Sequence, residues 1–313
     1  MKKFSVIFPG YGLYNIEFLK SFLKKYHIVR KTFKKASDIL NYNIYNNFFK
    51  KKNNFIFHNK NIYLLTFISS VAIYRVLEKE INIKPNIISG HSIGQYSALV
   101  CNKNILFEEA INIIKIRNKI MLEAVKNTRV LTLVVIGLNY NLIKKTCLLL
   151  STKKKKVFIS IINSKKQIVI TGNYSVVYSV GLIFKKKFYA KVIRLPMSIA
   201  SHCLLMKNYK EKFSYYLKKI KIFKGKYPII SNHNANIILS KKEIYSSLIK
   251  QIYKTVQWNK SIKKIISMGV NIFIEVGLGN ILTNLNKENK NIFSYSTNEY
   301  KKLLLVMDII KKL

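Results

Sequence analysis

Hydrophobic positions fall into short solid runs and longer periodic stretches, and their alternation predicts an α/β protein. Phe4–Phe8 is a short apolar run, read as a strand that ends in the loop Pro9-Gly10-Tyr11-Gly12. Residues 16–50 read as helical with weak patterning. Residues 61–80 carry Leu64, Phe67, Ile68, Val71 and Val76 at the spacing of a helix face. Ile87-Ile88 reads as a buried strand and residues 95–100 as a helix start. Residues 108–125 form a second strong helix, with acids in its first turn.

Beyond Asn127 the runs shorten. Strands are expected at 131–136, Val157–Ile162, 167–171 and 190–195, with helices at 141–150 and 174–184. That order, βαββαβ, is ferredoxin-like. A small ferredoxin-like lobe at 128–196 is therefore expected within a larger α/β domain made of 1–127 and 197–313. The larger part resumes with helices near 207–220 and 243–252. A strand at 271–276 closes on Gly277-Leu278-Gly279, and a last helix follows Glu299. No internal repeat interrupts this order.

With 313 residues, 49% of them apolar, the chain can bury a large core. It has no apolar run of about 18 residues, so no membrane span is expected. Met1-Lys2-Lys3 and the apolar run behind it imitate a signal peptide, but Pro9-Gly10 cuts the run short. A cytoplasmic protein is the expectation. Cys101, Cys147 and Cys203 are too scattered for a disulfide framework or a zinc site.

The net charge of +43 invites a nucleic-acid reading. Against it, only 5 of the 56 basic residues are arginine, whose planar fork reads bases and phosphates. The lysines spread along the whole chain, among many Ile, Asn, Tyr and Phe residues that A/T-rich codons encode. Drift in an A/T-rich genome explains this composition more simply, and no nucleic-acid partner is expected. The charge would still steer an acidic partner toward the surface.

Gly90-His91-Ser92-Ile93-Gly94 reads G-x-S-x-G between a strand and a helix, the setting of a nucleophile elbow. The sharp turn lifts Ser92, the glycines relieve crowding, and the helix start offers N–H groups to an oxyanion. A serine nucleophile needs a base. Of five histidines, His27 and His58 lie in weak polar surroundings. His91 is inside the elbow, with its side chain expected to point away from Ser92. His202 follows a strand end and the break at Pro196, which makes it the first candidate, ahead of His233 in a polar loop. No acid is placed for a triad, since Glu108, Glu109 and Glu123 all sit in or at the start of a helix. A Ser–His pair with a neutral orienting group is expected.

Arg117 has Ile113, Ile114, Ile120 and Met121 three and four positions away, so it projects from an apolar stripe. A buried guanidinium needs an anion, and with no local acid a ligand carboxylate is a reasonable counter-ion. The plain alternative is an arginine snorkelling at the stripe's edge. Together these residues predict acyl transfer to Ser92 from a substrate whose acyl group carries its own carboxylate.

An ordered set of motifs then resembles one family. These are F-P-G-x-G at 8–12, G-H-S-x-G-x-Y-S-A-L-V at 90–100, the helix bearing Arg117, and L-P-x-S-x-x-S-H-C at 195–203. Q-x-Y-x-x-V-Q-W at 251–258 and E-V-G-x-G at 275–279 complete it. The chain resembles malonyl-CoA:acyl carrier protein transacylases of bacterial fatty-acid synthesis. The resemblance implies an α/β-hydrolase-like core with a parallel sheet and an inserted ferredoxin-like subdomain. It makes Ser92 the acylated nucleophile and His202 its base. Arg117 and Gln251 become the substrate-binding positions, with the main-chain carbonyl of Gln251 also orienting the histidine. The oxyanion hole would be the backbone N–H groups of Tyr11 and Ile93.

The implied reaction is ping-pong, with malonyl-CoA as substrate and no metal or cofactor. An acidic, phosphopantetheine-bearing acyl carrier protein is the implied partner of a monomeric enzyme. The chain departs from the family at Tyr11 (usually Gln), Gln95 (usually Glu), Val130-Leu131-Thr132, Lys165-Lys166 (usually Pro-Gly) and Leu278 (usually Pro). Other readings stay compatible with these residues. They are a carrier-protein-binding relative with little turnover, an acyltransferase of broader acyl-CoA specificity, a plain serine esterase and a charge-driven nucleic-acid binder.

Overall fold

The computed structural model describes residues 3–12, 15–44, 46, 62–197 and 199–313. His58, Ser198, Asn61 and the end of the helical stretch expected at 16–50 lie outside them. In chain order the strands are β1 (Phe4–Phe8), β2 (Ile87–Gly90), β3 (Val130–Ile136), β4 (Val157–Ile162) and β5 (Gln167–Asn173). They continue with β6 (Lys191–Arg194), β7 (Ile229–Ile230), β8 (Ile237–Ile238), β9 (Ile272–Glu275) and β10 (Phe293–Ser296). One sheet runs β10-β9-β1-β2-β7-β8 and the other β4-β5-β3-β6.

The larger sheet is parallel from β10 to β7 and closes with an antiparallel β7–β8 hairpin. Every residue of β1, β2 and β9 is buried, which is why these strands read as solid runs without alternation. Phe8 pairs with Gly90 and Ile7 with Glu275, so the carboxyl ends of β1, β2 and β9 finish side by side. Chain order reverses at β1, and open α/β sheets bind ligands at the carboxyl ends of strands beside such a reversal. Helix Ile62–Ile81 is buried along most of its length and packs into the same core as helices Gly94–Cys101 and Phe107–Glu123.

The smaller sheet is antiparallel throughout. One of its faces, with Leu133, Val135, Ile168 and Ile170, is covered by Val177, Val180 and Phe184 of helix Tyr174–Lys186 and Ile143 of helix Tyr140–Leu150. The opposite face carries Ile193, Val134, Val169 and Ile161 in one line of register across its four strands.

Several expected elements take a different form. The stretch expected to be helical from residue 16 is two helices, Ile16–Lys25 and His27–Leu40. Between them Tyr26 takes an extended conformation and its N–H closes on the Phe22 carbonyl. The helix expected near 207–220 is a 3₁₀ segment, Leu204–Tyr209, followed by helix Lys210–Leu217. Strands β7, β8 and β10 and helices Trp258–Ser267 and Ile281–Asn286 were not expected. Two-residue strands have no measurable period, and Phe-Ser-Tyr-Ser in β10 has the mixed polarity of a sheet edge.

The elbow is the tightest point of the packing. A Cβ on Gly90 would fall on the Gly94 carbonyl, and one on Gly94 would fall on the Phe8 and Pro9 carbonyls. Both obstacles are backbone and cannot rotate aside. Gly94→Ala is therefore expected to destabilise the protein by on the order of 1–3 kcal/mol, read as a lower urea midpoint.

Candidate active site

Ser92 follows β2 and has φ +51°, a left-handed conformation that serine rarely adopts. The side chain of Asn232 spans this turn. Its Oδ1 accepts from the Ser92 N–H at 2.8 Å and its Nδ2 donates to the Gly90 carbonyl at 2.6 Å. Gly94 and Gln95 donate to the His91 and Ser92 carbonyls, while no described residue accepts from the Ile93 N–H. Nothing in the local sequence marks Asn232, because its role exists only once β2 and the loop after β7 lie together.

Ser92 Oγ lies 2.7 Å from His202 Nε2. On the other side of the ring, Nδ1 donates to the Gln251 carbonyl at 2.6 Å. A proton on Nδ1 leaves the Nε2 lone pair facing the serine, the tautomer a general base needs. His202 also has a left-handed backbone, at φ +60°, and is buried. Burial first, and then the charge of Arg117, pushes its pKa down to about 3, against the upward pull of the Gln251 bond.

Serine, histidine and arginine line one cavity of about 470 Å³, with Tyr11, Val134 and Val169 in its walls. Arg117 is buried, and its Nε and Nη2 have no partner among the described residues. This is not a snorkelling arginine. Tyr96 lies beneath the guanidinium, 5.9 Å from ring centre to Cζ. Tyr11 also faces Tyr63, with ring centres 6.3 Å apart.

Gln251 corrects one expectation. It is fully buried and does not line the cavity, so it is not placed to touch substrate. Its carbonyl holds His202, and its side-chain Nε2 donates to the Ser92 carbonyl at 2.9 Å. Helix Lys241–Tyr253 carries it inward, and a backbone oxygen leaves no trace in the residue pattern.

The other candidates separate cleanly. His91 is bonded through Nε2 to Asn163 Oδ1 at 2.9 Å rather than to Ser92, although its ring lines the cavity. His233 bonds to Ser231, and His27 is exposed. Glu108 pairs with Lys35 and Glu123 with Lys212 on the surface, while Glu109 bonds the Leu106 and Lys221 N–H groups. Glu275 does reach the cavity. It is fully buried and accepts from the Leu282 and Thr283 N–H groups and the Thr283 hydroxyl. Burial raises its pKa to about 7. Its carboxylate accepts these bonds at the start of helix Ile281–Asn286, whereas the imidazole Nδ1 is bonded to the Gln251 carbonyl.

With this geometry in view, comparisons with known proteins are decisive. The family profile "Acyl transferase domain" matches residues 60–293. The malonyl CoA-acyl carrier protein transacylase of Buchnera aphidicola subsp. Schizaphis graminum is 38% identical, over 99% of this chain and 100% of its own length. The chain belongs to the malonyl-CoA:acyl carrier protein transacylases. A transacylase of that family from Acinetobacter baumannii superimposes with a TM-score of 0.92 at 28% identity, covering 99% of both chains. Another malonyl-transacylase, solved in complex with a type II PKS acyl-carrier protein, gives 0.93 at 29% identity, covering 98% of this chain and all of its own.

Desolvation of three imidazoles, two buried and one half-buried, is expected to make this transacylase acid-sensitive. His91, His202 and His233 have folded pKa values of about 4, 3 and 4 against 6.5 when free. Below 6.5 the unfolded chain binds more protons, so the stability these groups lend is complete above 6.5 and lost as pH falls toward their folded values. Glu275 acts oppositely between 4.5 and 7, one carboxyl against three imidazoles. The urea midpoint is expected to fall from about pH 7 to about pH 5, and His202→Phe should flatten that fall.

Proposed function

We propose that this chain transfers the malonyl group from malonyl-CoA to the phosphopantetheine thiol of acyl carrier protein through a malonyl-Ser92 ester. One observation carries the assignment of residues. A serine hydroxyl 2.7 Å from a neutral imidazole shares its cavity with a buried arginine whose Nε and Nη2 have no partner among the described residues. The nucleophile and a receptor for a free carboxylate thus stand in one place.

The chemistry follows from the tautomer. His202 Nε2 takes the Ser92 proton as Oγ attacks the thioester carbonyl, and the Gln251 carbonyl supports the imidazolium that forms. The Ile93 and Tyr11 N–H groups are assigned to the oxyanion, and the unused Ile93 donor supports this. Collapse expels CoA thiolate, which takes the proton from His202. The carrier thiol then gives its proton to His202 and attacks the ester, and Ser92 Oγ leaves protonated. Arg117 holds the malonyl carboxylate through both halves. An excess of 56 basic over 13 acidic residues favours approach of an acidic carrier protein.

The same reading takes residues 1–127 and 197–313 as an α/β-hydrolase-like catalytic domain and 128–196 as a ferredoxin-like subdomain. The strand order β4-β5-β3-β6 supports the second assignment. A cytoplasmic setting belongs to the proposal too, supported by three buried free cysteines. Among the described residues no helix is long and apolar enough to cross a membrane.

Two outcomes are expected. Malonyl-CoA should add one malonyl mass to the intact protein, on a peptide containing Ser92, and Ser92→Ala should abolish it. A folded protein that gains no mass contradicts the assignment. Arg117→Ala should lower kcat/KM for malonyl-CoA by about 10- to 100-fold relative to acetyl-CoA, and unchanged selectivity would remove the clamp.

A further inference from the structure

Joined to the Ser92 carbonyl, and outside the cavity lining, is a row of largely buried polar side chains that the reaction steps do not use. Gln251 Nε2 has two hydrogens and three oxygens in reach. These are the Ser92 carbonyl at 2.9 Å, Gln95 Oε1 at 2.7 Å and Asn232 Oδ1 at 3.4 Å. Turning this amide over would set oxygen against three oxygens, so its orientation is fixed. Gln95 must then present Oε1 to Gln251, which leaves its Nε2 to donate to Ser247 Oγ at 2.8 Å. Ser247 Oγ lies 2.8 Å from Ser231 Oγ, and Ser231 Oγ lies 2.8 Å from His233 Nδ1. Gln251, Gln95, Ser247 and Ser231 are all buried.

Each hydroxyl has a single hydrogen, and that sets the direction of the row. If Ser231 donated to Ser247, the Ser247 hydrogen would have no acceptor in the row. If Ser247 donates to Ser231 and Ser231 to His233 Nδ1, each hydroxyl hydrogen has an acceptor. That arrangement needs an unprotonated Nδ1. Burial, Lys250 and Lys254 all disfavour a charged His233 and bring its pKa down to about 4.

We infer that Gln95, Ser247, Ser231 and His233 form a one-directional hydrogen-bond chain that fixes the Gln251 amide on the Ser92 carbonyl and so positions the nucleophile. The inference rests on Ser92 being the acylated residue. A glutamine at position 95 needs such a chain, because its two ends differ and only one orientation suits Gln251. A carboxylate there would accept from both neighbours and need no orienting. Without Ser231 as acceptor, Ser247 can donate to Gln95 instead. The Gln95 amide then turns and brings N–H against the N–H of Gln251, which loosens its hold on Ser92.

The test is kinetic. Ser231→Ala and Ser247→Ala are each expected to lower kcat for malonyl transfer about tenfold while KM for malonyl-CoA stays within about twofold. The double variant should lose no more than either single one, because links in series fail together. In a Gln95→Glu background Ser231→Ala should change kcat by less than about twofold, a rescue that packing alone does not produce. Multiplying losses in the double variant, a loss that persists in the Gln95→Glu background, or a lower melting temperature with unchanged kcat would overturn the chain. Should Gln95→Glu not fold, the two serine variants and their combination decide. Intact mass of the unsubstituted protein after malonyl-CoA separates the two ideas: absence of the Ser92 adduct counts against the nucleophile, not the chain.

Discussion

The backbone turn at Ser92 is the constraint on which the rest of the site depends. A serine held at φ +51° is strained, and the strain lasts only while the surroundings over-determine it. Two glycines let backbone touch backbone from either side. Asn232 ties the carbonyl before the turn to the N–H within it, and Gln251 takes the carbonyl after it. Gln251 holds the histidine with its main chain and the elbow with its side chain. One residue thereby fixes the spacing of nucleophile and base.

The electrostatics are as lopsided inside as outside, in a different way. Among the described residues the buried side chains that ordinarily carry full charge are Arg117 and Glu275. Glu275 is occupied at a helix start and pushed toward its neutral form by burial, so it does not neutralise the arginine. Fifty-six basic residues in the sequence thus reduce, in the described interior, to one guanidinium beside the catalytic pair. Its field also keeps the imidazole uncharged before substrate arrives. A carboxylate bound at Arg117 would cancel that field at the moment the imidazole must take a proton.

What the sequence made legible follows the range of the interactions involved. The elbow is local: strand, glycine, serine, glycine and helix are contiguous, so spacing alone exposed it. Arg117 was legible because a cation among apolar neighbours contradicts the helix pattern. The absence of a triad acid could be read from a chain with only two aspartates. Gln251 was read only through family resemblance and was placed among substrate contacts, because a carbonyl oxygen is common to every residue. Asn232 and the Gln95–Ser247–Ser231 row were not legible at all. Each side chain is ordinary where it stands, and its partners lie far away along the sequence. The missed elements divide similarly. β7, β8 and β10 owe their form to neighbours in the sheet, whereas helix Trp258–Ser267 buries Trp258, Ser261, Ile262 and Ile265, a helical spacing that was there to be found.

The cavity has two builders. The serine, the histidine and the arginine come from the part of the chain built around the parallel sheet, whereas Val134, Val169, Ile161 and Ile193 come from the outer face of the antiparallel one. Those four share no hydrogen bond with the catalytic pair through their side chains. Selection can therefore act on the two separately. Exchanging one β-branched residue of that wall for another would reshape the space offered to an acyl group without touching a hydrogen bond of the catalytic pair.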